Sequence, residues 1–132
     1  MSDQDRSRVP RILIVEDEQV VAMDMERQLL SFGYEVAGIA GTGKEALRLA
    51  ETTQPDLGLM DVQLRGALDG MATAAQMQRV WKGPVVFVTA FGHDEARWRA
   101  EALAPAGYLT KPYRPENLQR VVAAALPPQG SG

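Results

Sequence analysis

Two stretches of the chain are apolar without a break: residues 12–15 read ILIV and residues 85–88 read VVFV. A strand with one wet face alternates apolar and polar residues. An unbroken run must bury both faces, as the central strands of a parallel sheet do. Three further runs, 35–39, 56–60 and 108–109, read as strands, the third of the five tolerating Gly58 in its middle. Helical patterns fill the gaps. Ala22, Met25, Leu29 and Phe32 recur at i, i+3, i+7 and i+10, and Gly33 stops that helix. Ala46, Leu49 and Ala50 mark a second helix, and Met71, Ala74, Met77 and Trp81 a third. A charged fourth stretch over 94–103 carries Ala96, Ala100 and Leu103. A fifth carries Leu118, Val121, Val122 and Ala125, with Pro115 in its first turn. Strands alternating with helices five times predict an α/β fold, a doubly wound parallel sheet with helices on both faces.

Composition narrows the chemistry. With no cysteine and a single histidine, His93, in 132 residues, disulfides, thiol nucleophiles and multi-histidine metal sites are excluded. Seventeen acidic against fourteen basic residues give a net charge of −3, so direct nucleic-acid binding is not expected. No apolar run approaches the roughly 20 residues of a membrane span. The polar N-terminus lacks the apolar core of a signal peptide. A cytoplasmic chain without membrane partners is the expectation. Residues 1–9 and 127–132 (PPQGSG) have the composition of flexible tails, leaving 10–126 as one domain.

In parallel α/β sheets the functional site lies beyond the carboxyl ends of the strands. There the sequence places Glu16, Asp17 and Glu18 after the first strand, Asp61 after the third, Thr89 after the fourth and Lys111 after the fifth. Carboxylates crowded at one rim take up a proton or recruit a cation. Oxygen donors without histidine or cysteine favour Mg²⁺ or a similar hard ion. An ammonium and a hydroxyl beside them suit a phosphoryl group, and an aspartate can itself be the nucleophile that receives it.

These residues resemble the receiver domain of two-component response regulators. The resemblance is carried by Ile12-Leu13-Ile14-Val15-Glu16-Asp17-Glu18, by Asp56-Leu57-Gly58-Leu59-Met60-Asp61, by Val88-Thr89-Ala90 and by Gly107-Tyr108-Leu109-Thr110-Lys111-Pro112. Each motif follows its own strand, and the resemblance covers about residues 10–126. The resemblance implies a flavodoxin-like five-stranded sheet of order 2-1-3-4-5 with five helices. It implies Asp61 as phosphoacceptor, and Mg²⁺ or Mn²⁺ held by Glu16, Asp17, Asp61 and the main-chain carbonyl of Gln63. Thr89 is implied as the switch hydroxyl, Tyr108 as the aromatic that changes rotamer, and Lys111 as the lysine that pairs with the acceptor or its phosphate. A small residue beside the switch hydroxyl, Ala90, leaves access to the acceptor, and the Lys111–Pro112 bond is expected to be cis. The implied phosphoryl donor is a histidine kinase or a histidine phosphotransfer protein. The face of the fourth helix, fifth strand and fifth helix is implied as the surface for a downstream protein or a homodimer. Such a chain catalyses only its own phosphorylation and dephosphorylation. The stretch 84–92, PVVFVTAFG, resembles a stand-alone receiver subgroup with a modified switch region.

Other readings stand beside this one. An aspartate-nucleophile phosphatase usually carries a second aspartate two residues after the first as general acid; here that position is Gln63. A receiver-like interaction module that works without phosphate is the remaining alternative. Residues 38–44, GIAGTGK, fit the first seven positions of a phosphate-binding loop, but Glu45 stands where a hydroxyl residue is needed. Thr42 and Glu45 instead have the spacing of a helix capping box. Glu18 reads as a helix-entry acid, His93 as a surface or capping residue, and Trp98 as a mark of an interaction surface. With only 127–132 beyond the domain, the signal of a complete chain would leave by protein contact or phosphoryl transfer; in a longer protein an output domain would follow Gly132.

Overall fold

The computed structural model describes residues 8–64, 69–90 and 103–126. Five strands, β1 (Arg11–Val15), β2 (Glu35–Ala40), β3 (Leu57–Asp61), β4 (Val85–Ala90) and β5 (Gly107–Lys111), form one parallel sheet of order β2-β1-β3-β4-β5. Four helices are seen among the described residues: α1 (Gln19–Ser31), α2 (Gly43–Thr53), α3 (Gly70–Met77) and α4 (Pro115–Ala125). The helix expected over 94–103, with His93 and Trp98, lies outside the described residues except for Leu103, and so do residues 1–7 and 127–132 of the expected tails. The helix labelled α4 is therefore the fifth helical pattern of the sequence.

The unbroken apolar runs have the cause expected of them. Leu13, Val15, Met60 and Phe87 point to one face of the sheet, where they pack with Ala46 and Ala50 of α2 and Met71, Ala74 and Met77 of α3. Ile12, Ile14, Leu57, Leu59, Val86 and Val88 point to the other, against Ala22, Met25 and Leu29 of α1 and Leu118 and Val122 of α4. Each fully buried large side chain contributes about 1.5–3 kcal/mol relative to exposure, and both faces of the central strands collect that gain.

Local signals end the elements where the sequence places them. Gly33 has φ +96°, a left-handed conformation open to glycine. From there Gly33 N–H donates to Leu30 O (3.0 Å) and Tyr34 N–H to Leu29 O (3.1 Å), closing α1 with a Schellman motif. Thr42 Oγ1 accepts from Glu45 N–H at 3.1 Å. The Glu45 carboxylate reaches back to Gly41 N–H at 2.9 Å, so the would-be phosphate loop is a helix cap. Pro115 opens α4, where Arg114 N–H donates to Asn117 Oδ1 at 3.1 Å.

Some boundaries differ from the sequence expectation. The third strand starts at Leu57, because the Asp56 side chain is used as an anchor. It accepts from Arg11 N–H at 2.7 Å and pairs with Arg8. The strands also run further at their carboxyl ends: Asp61 pairs with Val88, and Ala90 with Lys111. Trp81 is buried but lies past the end of α3. Its Nε1–H donates to Pro55 O at 2.8 Å, and its ring lies 3.5 Å from where a β-carbon on Gly58 would stand. Gly58 thus makes the trough that seats the indole. No helix among the described residues is long and apolar enough to cross a membrane.

Candidate acidic site at the sheet rim

Strand order brings the chemistry together. β1 and β3 are neighbours, so Glu16 and Asp17, just past β1, stand beside Asp61 at the end of β3. Carboxylate oxygens of Glu16, Asp17 and Asp61 all lie within 4.8 Å of one another. Asp61 is 5% exposed and Glu16 2%, whereas Asp17 is half-buried. Lys111, the last residue of β5, reaches across β4 into this cluster. Its Nζ lies 3.2 Å from Glu16 Oε1 and 3.5 Å from Asp61 Oδ2. The Lys111–Pro112 bond is cis.

Two of the carboxylates are held by amides two residues further along the chain. Glu16 Oε2 accepts from Glu18 N–H at 3.1 Å, which satisfies an amide at the entry of α1. Glu18 is the residue preceding that helix, and its own side chain makes no capping bond. Asp61 Oδ1 accepts from Gln63 N–H at 2.9 Å, which folds the chain after β3 around the carboxylate. That turn leaves Gln63 exposed two residues past Asp61.

The electrostatics follow from burial. Glu16 is pushed up from 4.5 to about 7, first by desolvation and further by the Asp61 charge. The Glu18 amide and the Lys111 ammonium oppose this and do not cancel it. Burial pulls Lys111 down, but Asp61 and Glu16 outweigh it and hold the ammonium above its ordinary 10.5. Tyr113, just beyond Pro112, is raised to about 12 by burial, with Asp24 and Glu16 adding to it. A buried carboxylate driven toward protonation beside two others is a site short of positive charge. An all-oxygen donor set of this kind fits Mg²⁺ or Mn²⁺ and not a soft metal.

The remaining expected residues are placed as follows. Thr89 is one residue beyond Val88, the register partner of Asp61, and pairs with Thr110. Its hydroxyl donates to Ala90 O at 3.4 Å. Tyr108 is on β5 opposite Phe87, with ring centroids 6.4 Å apart. Sequence reasoning missed Gly70, whose α-carbon packs on the main chain of Asp61. The only signal for it was a glycine directly after Asp69, the cap of α3.

Comparison with known proteins agrees with this fold. Residues 12–123 match the response regulator receiver domain family. The chain is 36% identical over 125 residues to the transcriptional regulatory protein PdtaR of Mycobacterium tuberculosis, covering 95% of this chain and 60% of that protein. It is 36% identical over 116 residues to the phyllosphere-induced regulator PhyR of Methylorubrum extorquens, covering 87% of this chain and 43% of that one. It therefore spans about half the length of these relatives. Among solved structures it is similar to the signal receiver domain of a modulated diguanylate cyclase from Desulfovibrio desulfuricans. That match has 40% identity, a TM-score of 0.82, and coverage of 89% of this chain and 93% of that one. It is also similar to the Vibrio cholerae chemotaxis protein CheY4, at 26% identity and a TM-score of 0.81 over 89% of this chain and 99% of that one.

Proposed function

The chain belongs to the response regulator receiver domain family of two-component signalling, and from that premise we propose that Asp61 accepts a phosphoryl group from a histidine kinase or a histidine phosphotransfer protein. The observation that carries this reading is the meeting of three carboxylates within 4.8 Å with the Lys111 ammonium 3.5 Å from Asp61.

In the proposed reaction a carboxylate oxygen of Asp61 attacks the phosphorus of a phosphohistidine. A P–O bond forms, the P–N bond breaks, and its electron pair leaves with the imidazole. Gln63 N–H orients the carboxylate through Oδ1, while Oδ2 faces Lys111. Lys111 offsets negative charge on the transferred group. Mg²⁺ or Mn²⁺, held by Glu16, Asp17, Asp61 and the Gln63 carbonyl, supplies when bound the positive charge that lets an anionic phosphoryl group approach these carboxylates. Thr89 offers a hydroxyl donor to the phosphoryl oxygens from the end of β4. Tyr108 shares a groove with Tyr113, Asn117 and Arg120 between β5 and α4, the surface through which a change of state would reach a downstream protein or a second copy. With Gln63 where an acid–base aspartate would be required, the chain is not expected to turn over other phosphate esters.

Intact-mass measurement tests the reading. Acetyl phosphate or a phosphorylated kinase, with Mg²⁺, should add the mass of one phosphoryl group to the wild type and none to Asp61→Asn. Chelation should abolish the gain. An Asp61→Asn chain that still gains the mass would overturn the assignment.

A further inference from the structure

The first residue of α3 is pressed against the main chain of the strand that carries Asp61. A β-carbon on Gly70 would stand 2.0 Å from the Asp61 carbonyl oxygen, 2.8 Å from its carbonyl carbon and 2.8 Å from Val62 Cα. These are backbone atoms, which cannot swing aside as the end of a side chain can. Gly70 N–H also donates to Val62 O at 3.2 Å, while Val62 N–H is tied to Val88 O of β4 at 3.0 Å. The segment from Asp61 to Val62 is thus gripped by β4 on one side and by α3 on the other.

The helix end that presses here is itself fixed. Asp69 Oδ1 accepts from Ala72 N–H at 2.8 Å. The Asp69 carbonyl accepts from Thr73 Oγ1 at 2.7 Å and from Thr73 N–H at 2.9 Å. Thr73 is fully buried. A β-carbon at position 70 would therefore move the strand end, not the helix alone.

We propose that Gly70 is a positioning residue for the acidic site: the missing β-carbon lets the first turn of α3 clasp the backbone that carries the Asp61 carboxylate and the Gln63 carbonyl, and so sets where both stand relative to Glu16 and Asp17. The inference rests on Asp61 and Gln63 serving as proposed above. Glu16 and Asp17 belong to the β1 end of the sheet. Asp61 belongs to the segment that Gly70 touches, and Gln63 follows Val62 directly. A shift of that segment opens the distance between the two halves of a cation site without removing a donor. Supports of this kind cost about 10–100-fold in metal affinity when disturbed.

The test compares Gly70→Ala with Thr73→Val in the full chain, with Mg²⁺ and Mn²⁺ as probes in titration calorimetry. Thr73→Val removes a buried hydrogen bond from the same helical turn but pushes on nothing at Asp61. It should lower the melting temperature and leave cation affinity unchanged. Gly70→Ala should weaken cation binding by about 10–100-fold and slow phosphorylation by acetyl phosphate, with its melting temperature in the Thr73→Val range. Unchanged affinity in Gly70→Ala, or equal weakening in both variants, would overturn the proposal. Should Gly70→Ala fail to fold, the wild-type Gly70 amide resonance decides. Titration with Mg²⁺ should shift it through the Val62 carbonyl, and a stationary resonance overturns the proposal. A wild type that binds no cation and accepts no phosphoryl group would bring down the functional reading as well. A wild type that does both beside an unaffected Gly70→Ala brings down only this one.

Discussion

Lys111 Nζ lies 3.2 Å from Glu16 Oε1, joining the ends of β5 and β1 across 95 residues of sequence. The pair is a partial neutralisation: one ammonium serves Glu16 and Asp61 together, and burial still drives Glu16 up to about 7.

That imbalance makes stability depend on pH and on divalent cations. A carboxylate raised from 4.5 in the unfolded chain to about 7 in the fold binds its proton more tightly when folded. Its stabilising contribution is complete below pH 4.5 and is lost as pH rises through about 7. The full loss is about 3 kcal/mol. The melting temperature in a chelator should therefore fall between pH 5 and pH 8 from this group. Mg²⁺ should raise it more at pH 8, where it binds without displacing the Glu16 proton. Equal Mg²⁺ effects at both pH values would contradict the origin assigned to the shift.

Lys111→Met keeps the length of the side chain and removes the charge. It leaves two carboxylates without their cation, at a cost of about 1–3 kcal/mol once the partial exposure of the lysine is discounted. The loss should be larger at pH 8 than at pH 5, because Glu16 is neutral at the lower value. Lys111 itself is held above 10.5, so its ammonium persists across this range and is lost only as pH rises through that raised value. Chemical denaturation of both proteins at the two pH values checks the difference.

Trp81→Phe should cost about 1–3 kcal/mol, because the Pro55 carbonyl loses its buried donor. Phosphoryl acceptance should be untouched, since Trp81 packs on Gly58 near the start of β3 and not at its carboxyl end. Gly58→Ala places its methyl in ordinary contact with the indole and should be tolerated. Gly58→Leu should displace the indole at a further cost of about 1–3 kcal/mol. Urea melts report each step.

Thr42→Ala should remove the cap of α2 at a cost of about 1 kcal/mol, measured by thermal unfolding. A stability loss from this residue is what a helix cap requires and a phosphate loop does not.

The sheet was legible because burial on both faces writes itself as unbroken runs, as at residues 12–15 and 85–88. The rim was legible because a parallel order forces the ends of β1, β3 and β5 to one side, so Glu16, Asp17, Asp61 and Lys111 could be grouped before any distance was known. What depended on contact distances was hidden. Nothing in the residue string says that Gly70 touches Asp61, that Gly58 seats Trp81, or that Glu16 is the most buried of the three acids. The strands extend beyond their apolar runs to Asp61, Ala90 and Lys111, because a residue at a rim can still pair its backbone in the ladder whatever its side chain.

Reductive trapping tests the central claim most directly. After treatment with acetyl phosphate and Mg²⁺, borohydride converts an aspartyl phosphate to homoserine, and peptide mapping reads its position. The account predicts homoserine at position 61 alone, dependent on the divalent cation. Homoserine at another aspartate, or none at position 61 in a chain that has gained a phosphoryl group, would contradict it.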